Sequence, residues 1–145
     1  MPASYLVRDF MSAPATTLPS NSPLLEAALT MRRTGFRHLP VVEGEKLVGI
    51  ITERDIHRFA PSLLSRISQE EYNSIFENTP LERVMTREPL TVTPATPITQ
   101  AVAILSEKKL GCLPVVGGTQ LVGIITTSDM LELLSRILTG APVQK

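Results

Sequence analysis

The sequence predicts an α+β fold made of two β-α-β-β-α units that are related by a pseudo-twofold axis. The main observation is an internal repeat: the segment Leu39–Asp55, LPVVEGEKLVGIITERD, returns 74 positions later at Leu113–Asp129 as LPVVGGTQLVGIITTSD. Each copy contains two short apolar, β-branched runs around a turn, which predicts a largely buried β-hairpin. Two copies are too few for a solenoid, so we expect the units to pack on each other and any ligand site to occur in pairs.

Length and composition limit the classes of function. The chain has 145 residues, which is enough for one compact unit or two small halves with an aliphatic core. Its 14 basic and 14 acidic residues leave no net charge, so we expect neither a nucleic-acid partner nor a membrane surface. The single cysteine excludes an internal disulfide, and the sequence contains no signal peptide or spanning segment. These features predict a cytoplasmic protein.

The first repeat is expected at residues 5–60. Its predicted elements, in chain order, are a helix-like lead-in at Tyr5–Met11, an extended piece at Thr16–Pro19, a helix opening at Ser22-Pro23, a hairpin with its turn at Glu43–Lys46, and a helix from about Arg54 to Phe59. Gly49 lies inside the second hairpin strand, and Gly123 occupies the same position in the second copy. A glycine inside a strand indicates a β-bulge or the close approach of another backbone or a ligand.

The second repeat is expected at residues 80–138 with the same order of elements. These are a lead-in at Leu81–Met85, an extended piece at Leu90–Pro94, a helix opening at Thr96-Pro97, the second hairpin, and a helix from about Ser128 to Leu138. For the lead-in we predict Thr79 as the N-cap, Pro80 in the first turn and Glu82 closing a capping box.

A helical linker is expected at residues 61–79. Leu63, Leu64 and Ile67 have helical spacing, and a second group with this spacing contains Tyr72 and Phe76. Ser68 and Glu71 offer a capping box for the second group. The segment is too long for a turn and too apolar for a flexible linker, so it predicts one or two short helices packed against the body.

The repeated pattern resembles the CBS domain, named after cystathionine β-synthase, which usually occurs as a tandem pair. The matching segments are Val7–Met11, Thr17–Leu18–Pro19, the helix from Pro23, Arg37–Val42 and Gly49–Asp55, and in the second copy Val84–Thr86, Thr91–Pro94, Leu113–Val116 and Gly123–Asp129. The linker also resembles that of stand-alone CBS pairs of the acetoin-utilisation type. The resemblance implies the β-α-β-β-α fold, a flat dimer, and a regulatory role in sensing adenosine-containing ligands such as AMP, ADP, ATP or S-adenosylmethionine.

A Thr-x-x-Asp element ends each hairpin, as Thr52 with Asp55 and as Thr126 with Asp129. By residue type alone, the element can be a capping box at the start of the next helix. The same geometry suits a ribose, because a carboxylate can accept a hydrogen bond from each hydroxyl and the helix N-terminus offers N–H groups to an anion. The residues leave both interpretations open, and the resemblance favours ribose binding at two potential sites.

A phosphate requires cations, and Arg37 and Arg54 are the candidates, with solvated surface charge as the alternative. The resemblance implies that each site also borrows residues from the other repeat. The first site would combine Arg37, Ile50, Thr52, Arg54 and Asp55 with Leu90, Cys112 and Ser128. The second site would combine Ile124, Thr126, Ser128 and Asp129 with Thr16, His38 and Arg54. We expect the first site to be the more favourable for phosphate.

His38 and Cys112 occupy equivalent positions in the two repeats, which raises the alternative of a thiol nucleophile or a metal site. One cysteine and two histidines without a third orienting group do not support either. We therefore predict no catalytic residue, no metal ligand and no required cofactor.

The sequence thus predicts a non-catalytic regulatory module that binds AMP, ADP or ATP in the cleft between the repeats, with or without magnesium beside a polyphosphate. The alternatives are a purely structural or dimerising module with vacant clefts, and a sensor of S-adenosylmethionine. The last helix carries more apolar residues than one face can bury, which predicts a homodimer. These residues are Met130, Leu131, Leu133, Leu134, Ile137 and Leu138. An effector protein would be supplied in trans.

Overall fold

The structure is a computed structural model that describes residues 5–60 and 67–143, and it confirms the α+β class. Its helices and strands are β1 Leu18–Pro19, α1 Leu24–Thr34, β2 His38–Glu43, β3 Lys46–Thr52, α2 Glu53–Phe59, α3 Gln69–Asn78, β4 Thr86–Arg87, α4 Ile98–Glu107, β5 Cys112–Gly117, β6 Gln120–Thr126 and α5 Thr127–Thr139. Single 3-10 turns lie at Val7–Asp9 and Leu81–Arg83. Among the described residues, no helix has both the length and the apolar character needed to cross a bilayer.

The chain divides into two compact units. One consists of Thr16–Glu88 and is called the Asp55 unit below. The other consists of Met1–Ala15 together with Pro89–Lys145 and is called the Asp129 unit. Each unit contains one hairpin and one Thr-x-x-Asp element, so the repeat found in the sequence is also a repeat of structure.

The Asp55 unit has a sheet in which β2 and β3 form the hairpin. Strand β1 pairs with β2 in parallel, and β4 pairs with β3 in antiparallel orientation. Helix α1 turns one apolar face to the sheet through Leu24, Ala27 and Met31, which follow the spacing of an amphipathic helix. The linker helix α3 adds Phe76 to the same core, where its ring lies 4.9 Å from that of Tyr72.

The Asp129 unit repeats this arrangement with its own core. Strands β5 and β6 form the hairpin, and single bridges join Val92 to Val115 in parallel and Ser12 to Ile124 in antiparallel orientation. The apolar face of α4 packs on the hairpin, and the lead-in contributes Phe10. Both units therefore bury a separate aliphatic core, as the shortage of aromatic residues predicts.

Each unit takes its lead-in from the other repeat. In the Asp129 unit, the Val7 N–H donates to the Thr96 carbonyl at 2.8 Å, which ties the first lead-in to the start of α4. In the Asp55 unit, the Leu81 N–H donates to the Ser22 carbonyl at 2.8 Å, which ties the second lead-in to the start of α1. The lead-in that precedes a repeat in sequence thus completes the unit formed by the other repeat.

Both hairpins contain a β-bulge and a close backbone approach at their internal glycines. Val41 pairs with Gly49 while Val42 pairs with Leu47, so Val48 is the extra residue of a β-bulge. The backbone directly after the lead-in also comes close, since a Cβ at Gly49 would lie 2.8 Å from the Thr86 carbonyl oxygen. The bulge and the close approach are both confirmed, and the second hairpin repeats them at Gly123.

One local prediction needs correction. The capping box at Thr79 is wrong: the 3-10 turn begins after Pro80, which caps it without a side-chain hydrogen bond, and Thr79 is buried with its carbonyl accepting the Leu24 N–H at 2.7 Å. Helix α3 confirms the second predicted linker helix. The Ser68 hydroxyl caps it by accepting the Glu71 N–H at 3.1 Å. The first linker helix, with Leu63 and Leu64, lies outside the described residues.

Candidate functional site

Asp55 lies in the first turn of α2, directly after the hairpin. The Thr52 hydroxyl accepts the Asp55 N–H at 3.1 Å, and the Thr52 N–H donates to Asp55 Oδ2 at 3.0 Å. This reciprocal pair is the capping box predicted from the sequence. The box fixes the carboxylate, whose side chain is buried. It uses only part of the acceptor capacity, because a carboxylate offers about four lone pairs.

Asp129 has the same geometry at the start of α5. The Thr126 hydroxyl accepts the Asp129 N–H at 3.1 Å, and the Thr126 N–H donates to Asp129 Oδ2 at 2.8 Å. The structure therefore holds two carboxylates in the same orientation relative to their hairpins, one in each unit. Asp129 is more exposed than Asp55.

A hydroxyl group from the residue directly after each lead-in faces the carboxylate, and the sequence analysis missed both. The Thr86 hydroxyl lies 3.3 Å from Asp55 Oδ1 and 3.4 Å from Oδ2, and the Ser12 hydroxyl lies 3.5 Å from Asp129 Oδ1. These distances exceed the usual O–H···O length of about 2.7–2.8 Å, so the contacts are weak. Ser12 and Thr86 are separated by the same 74 positions as the two aspartates. That spacing is the signal that could have identified them.

The first turns of α2 and α5 offer fewer N–H groups to an anion than the sequence suggests. The Glu53 N–H donates to the Arg37 carbonyl at 2.9 Å, and the Asp55 N–H is taken by its cap. In the other unit, the Thr127 N–H donates to the Gly111 carbonyl at 2.9 Å. An anion at either position must therefore rely mainly on side-chain cations.

Charged side chains converge on His38 in the Asp55 unit. Burial lowers the pKa of His38 below its usual value of 6.5, the positive charges of Arg37 and Arg54 lower it further, and Asp55 and Glu53 oppose them. Arg37 Nε lies 3.9 Å from Glu53 Oε2, and the two side chains are 79% and 50% exposed. Such an exposed, long ion pair contributes little, so the Arg37 guanidinium can exchange its partner at low cost.

Cys112 does not have the character of a nucleophile. It lies opposite Thr126 in the second hairpin, as His38 lies opposite Thr52 in the first. Burial raises the pKa of the Cys112 thiol to about 12, so the thiol stays protonated at neutral pH. Within residues 5–60 and 67–143, no three His, Cys, Asp or Glu side chains are grouped so that they could hold a metal ion.

The remaining predicted site residues lie on the hairpin strands, on α5 and before the paired extended segments. Ile50 and Ile124 are buried in β3 and β6, and Ser128 is exposed in the first turn of α5. Thr16 and Leu90 are exposed at equivalent positions, each two residues before the paired extended segment of its unit. The combinations of residues from both repeats at one site stay predictions.

The sequence model of the CBS domain matches residues 7–62 and 73–136, and the chain belongs to this family. A CBS domain-containing protein of Dictyostelium discoideum is 28% identical over 141 residues, which cover 96% of this chain and 97% of that protein. A Vibrio cholerae protein provisionally assigned to acetoin utilization (AcuB) has a similar crystal structure, with a TM-score of 0.78, 33% identity and 93% of each chain covered.

A further similar structure contains ligands. The CBS domain pair of protein MJ0100, in complex with 5′-methylthioadenosine and S-adenosyl-L-methionine, has a TM-score of 0.72 and 31% identity, and the match covers 90% of this chain and 99% of that chain. Relatives that are named as enzymes match over only 13% to 24% of their own length. This chain therefore corresponds to the CBS region of those larger proteins.

Proposed function

We propose that the chain is a regulatory module that senses an adenosine-containing ligand, AMP, ADP or ATP, and has no catalytic activity of its own. The observation that carries the proposal is the carboxylate that each unit holds between its hairpin and the next helix. The likeness to MJ0100, whose CBS pair binds two adenosine derivatives, supports this class of ligand. It also makes S-adenosylmethionine the second candidate.

The two hydroxyls of a ribose suit each aspartate. A vicinal diol can donate one hydrogen bond to each carboxylate oxygen. In the Asp55 unit, the diol would replace the long contacts from Thr86, which costs little. Because the capping box already fixes the carboxylate, the ligand does not have to order it. The same argument applies to Asp129 with Ser12.

The base and the phosphate would use groups around the carboxylates. Adenine requires apolar walls and backbone groups, for which the candidates are Thr16, Ile50, Leu90, Cys112 and Ile124. The phosphate would be bound by Arg37 and Arg54, with His38 and Ser128 as neighbouring polar groups. Magnesium would accompany the ligand only when it is a polyphosphate.

The proposed output is a change in assembly. A ligand shifts a conformational equilibrium only through different affinities for the two states, so ordering of the site must be coupled to a surface that a partner recognises. We place this surface on a homodimer formed through α5, whose outer face is apolar and exposed. An effector protein in trans would bind this dimer surface. A cytoplasmic location fits the lone, reduced Cys112.

Calorimetric titration with AMP, ADP, ATP and S-adenosylmethionine tests the proposal on the wild type and on Asp55→Ala and Asp129→Ala. We expect micromolar binding of at least one ligand, weakened at least about tenfold in one or both variants, because a charged hydrogen-bond partner of the ribose is lost. Asp9→Ala is the matched control. It also removes an aspartate that caps a turn, with the Leu6 N–H 2.9 Å from Asp9 Oδ2, but it lies outside the candidate site.

Three outcomes of this titration lead to different conclusions. Weaker binding in the Asp55 or Asp129 variant, with Asp9→Ala unchanged, supports a ribose at that carboxylate. An absence of heat with all four ligands on folded wild-type protein contradicts the sensor function and favours the dimerising module. Equal binding by all four proteins would remove both carboxylates from the site.

A further inference from the structure

We infer that one face of the Asp55 unit binds an acidic segment of a partner protein, in which carboxylates flank an apolar side chain. The face lies on α1 and on the turn that follows this helix, and we call it the basic face. Its residues are Leu29, Arg32, Arg33 and Phe36. None of them belongs to the candidate ligand site, so the inference goes beyond the proposed function.

Helix α1 presents the basic face on the side that points away from its core. Ala27 lies on the core-facing side and is fully buried. Leu29 lies on the other side and is 46% exposed. Arg32 and Arg33 follow Leu29 by three and four residues, which places them beside it on the helix surface, and both are exposed.

The arginines of the basic face are not balanced by acidic neighbours. Within residues 5–60 and 67–143, neither guanidinium forms an ion pair. The sequence contains no acidic residue between Glu26 and Glu43, and Arg37 adds a third exposed cation directly after Phe36. In the described part of the chain, the positive charge of the face is therefore not neutralised.

The internal repeat shows that the fold does not require these arginines. Cations in the last turn of a helix interact favourably with its dipole, which is the structural alternative for Arg32 and Arg33. The equivalent helix α4 has Ser106 and Glu107 at these positions and no basic residue in its last turn. It nevertheless packs on its hairpin in the same way. Helix stability alone does not account for the two arginines.

The apolar side chains of the face also differ from their equivalents. Phe36 is 51% exposed, whereas the equivalent Leu110 packs against the core of the Asp129 unit. Ala103 stands at the position equivalent to Leu29. The Phe36 N–H donates to the Thr34 hydroxyl at 3.1 Å, which fixes the backbone of this turn while the ring remains exposed. An exposed aromatic ring among arginines is typical of protein-binding surfaces.

An acidic protein segment is the partner that fits this composition. A guanidinium can form two parallel hydrogen bonds with a carboxylate, and complementary charge favours acidic partners over others. A nucleic acid would require a longer basic stripe. Here the neighbouring surface is acidic, because Glu26 precedes the face on α1 and because α3, which packs against α1, has three exposed glutamates and no basic residue.

Selection from a library of random peptides displayed on phage tests the inference without knowledge of the partner. We expect the wild-type protein to enrich peptides that combine aspartate or glutamate with an aromatic or leucine side chain. An enriched peptide is then synthesised with a fluorescent label and titrated with the protein while its anisotropy is recorded. We expect added salt to weaken this binding, because the contacts are ionic and exposed.

Two double variants provide a matched comparison. Arg32→Ser with Arg33→Glu changes the basic face, and Lys46→Gln with Arg83→Asp changes two other exposed cations of the Asp55 unit. Each pair removes two positive charges and adds one negative charge, and each introduced side chain is the one at the equivalent position of the other repeat. We expect the first pair to weaken peptide binding at least about tenfold, and the second to change it less than about twofold.

Phe36→Ala is an independent test of the same face. It should weaken peptide binding about tenfold, because an exposed aromatic ring is lost, and it should fold, because the ring lies outside the core cluster. Circular dichroism and urea denaturation check the fold of every variant. If the arginines serve only the helix dipole, Arg32→Ser with Arg33→Glu lowers the urea midpoint and leaves peptide binding unchanged, which overturns the inference.

Binding that is lost in the two basic-face variants and kept in Lys46→Gln with Arg83→Asp supports the inference. A selection that enriches no peptide, or only peptides without acidic residues, overturns it. Salt-sensitive self-association that Arg32→Ser with Arg33→Glu abolishes would assign the face to a second copy of the chain and also overturns it. All these variants keep Asp55 and Asp129, so a failure of adenosine-ligand binding contradicts the proposed function without changing the result for the basic face.

Discussion

The aspartates of the two candidate sites are held by their own backbone before any ligand binds. Asp55 and Asp129 each close a capping box, so their position is set by the strand-to-helix junction and not by the ligand. Loss of such a cap costs about 1 kcal/mol of folding free energy. The binding experiments must therefore compare variants that remain folded, and for this reason Asp9→Ala, which removes another capping carboxylate, is the appropriate control.

Thr30 lies on the buried face of α1 and carries a hydroxyl that has no hydrogen-bond partner within the described part of the chain. A buried, unsatisfied polar group costs about 1–3 kcal/mol, and valine has the same shape without the hydroxyl. Thr30→Val should therefore raise the free energy of unfolding by about 1 kcal/mol. Urea denaturation measures this change.

Thr34→Val is the matched control for Thr30→Val. The Thr34 hydroxyl donates to the Thr30 carbonyl at 2.7 Å and accepts the Phe36 N–H at 3.1 Å, so its removal should lower stability. A lower urea midpoint for Thr30→Val than for the wild type would contradict a buried, unsatisfied hydroxyl at this position.

We expect His38 to make the stability of the protein depend on pH. Its pKa in the folded state lies below 6.5 because burial and the nearby Arg37 and Arg54 disfavour the charged imidazolium. The unfolded chain therefore binds the proton more readily, and the contribution of neutral His38 is present above pH 6.5 and is lost as the pH falls through the lower folded pKa. His38→Gln should flatten the fall in unfolding free energy between about pH 7.5 and about pH 5.5.

Urea denaturation at several pH values checks the His38 prediction. Thr30→Val is a suitable reference, because it changes no titratable group and should shift the whole profile by a constant amount. A His38→Gln profile parallel to that of the wild type would show that His38 is not the group responsible.

At the scale of elements, the sequence was sufficient where the signal is local. The apolar spacing of α1, the β-branched runs of the hairpins and the caps at Thr52 and Thr126 involve residues close in sequence, and the predicted elements are present. Strand β4 was not predicted, because its two residues are extended only through pairing with β3. The first turn of the second lead-in was assigned to the wrong cap for a similar reason, since Thr79 is buried by tertiary contacts.

The candidate site, too, was predicted only where its sequence pattern is local. The Thr-x-x-Asp elements are local patterns, so their geometry was anticipated. The hydroxyls of Thr86 and Ser12 reach the aspartates only because each lead-in completes the unit of the other repeat. The sequence does not show which lead-in packs on which hairpin, because the two repeats are alike and either lead-in would fit the pattern of either hairpin.

The packing of the lead-ins against the hairpins requires glycine at two positions. A Cβ at Gly49 would lie 2.6 Å from Met85 Sδ and 2.8 Å from the Thr86 carbonyl oxygen. Gly49→Ala should therefore displace the lead-in and lower the free energy of unfolding by about 2 kcal/mol, a typical cost of overpacking. Gly123→Ala should act in the same way, since its Cβ would lie 2.9 Å from the Ser12 carbonyl oxygen. Thermal or urea denaturation measures the loss.

Gly117→Ala controls for the general effect of replacing a strand glycine. Its Cβ would meet only Val122 Cγ1 at 3.6 Å, which is an ordinary contact, so stability should change little. If Gly49→Ala and Gly117→Ala have equal stability, the close approach of the lead-in does not constrain the hairpin.

At the scale of the whole molecule, the chain combines two aliphatic cores with an exposed apolar stripe on α5. Met130 and Leu133 face the core of the Asp129 unit, whereas Leu131, Leu134 and Leu138 are 60%, 48% and 75% exposed. Their spacing of three and four residues places these leucines on one face of the helix. Exposure of such a stripe to water is unfavourable, and covering it lowers the free energy.

A second copy of this chain is the occupant that the stripe suits best. An apolar stripe is self-complementary in a twofold interface, because each leucine can pack against leucines of the partner. Charge does not oppose the association, since the chain carries no net charge and Glu132 beside the stripe is paired with Arg136 at 2.8 Å.

We expect the wild type to be a dimer by light scattering at micromolar concentration. Leu134→Lys with Leu138→Lys should be a monomer, because two buried charges per subunit would face their copies. Val102→Lys, which replaces an exposed apolar residue on α4, should remain dimeric. A monomeric wild type, or a double variant that still dimerises, would exclude this face of α5 as the interface and would require the ligand signal to leave the molecule by another surface.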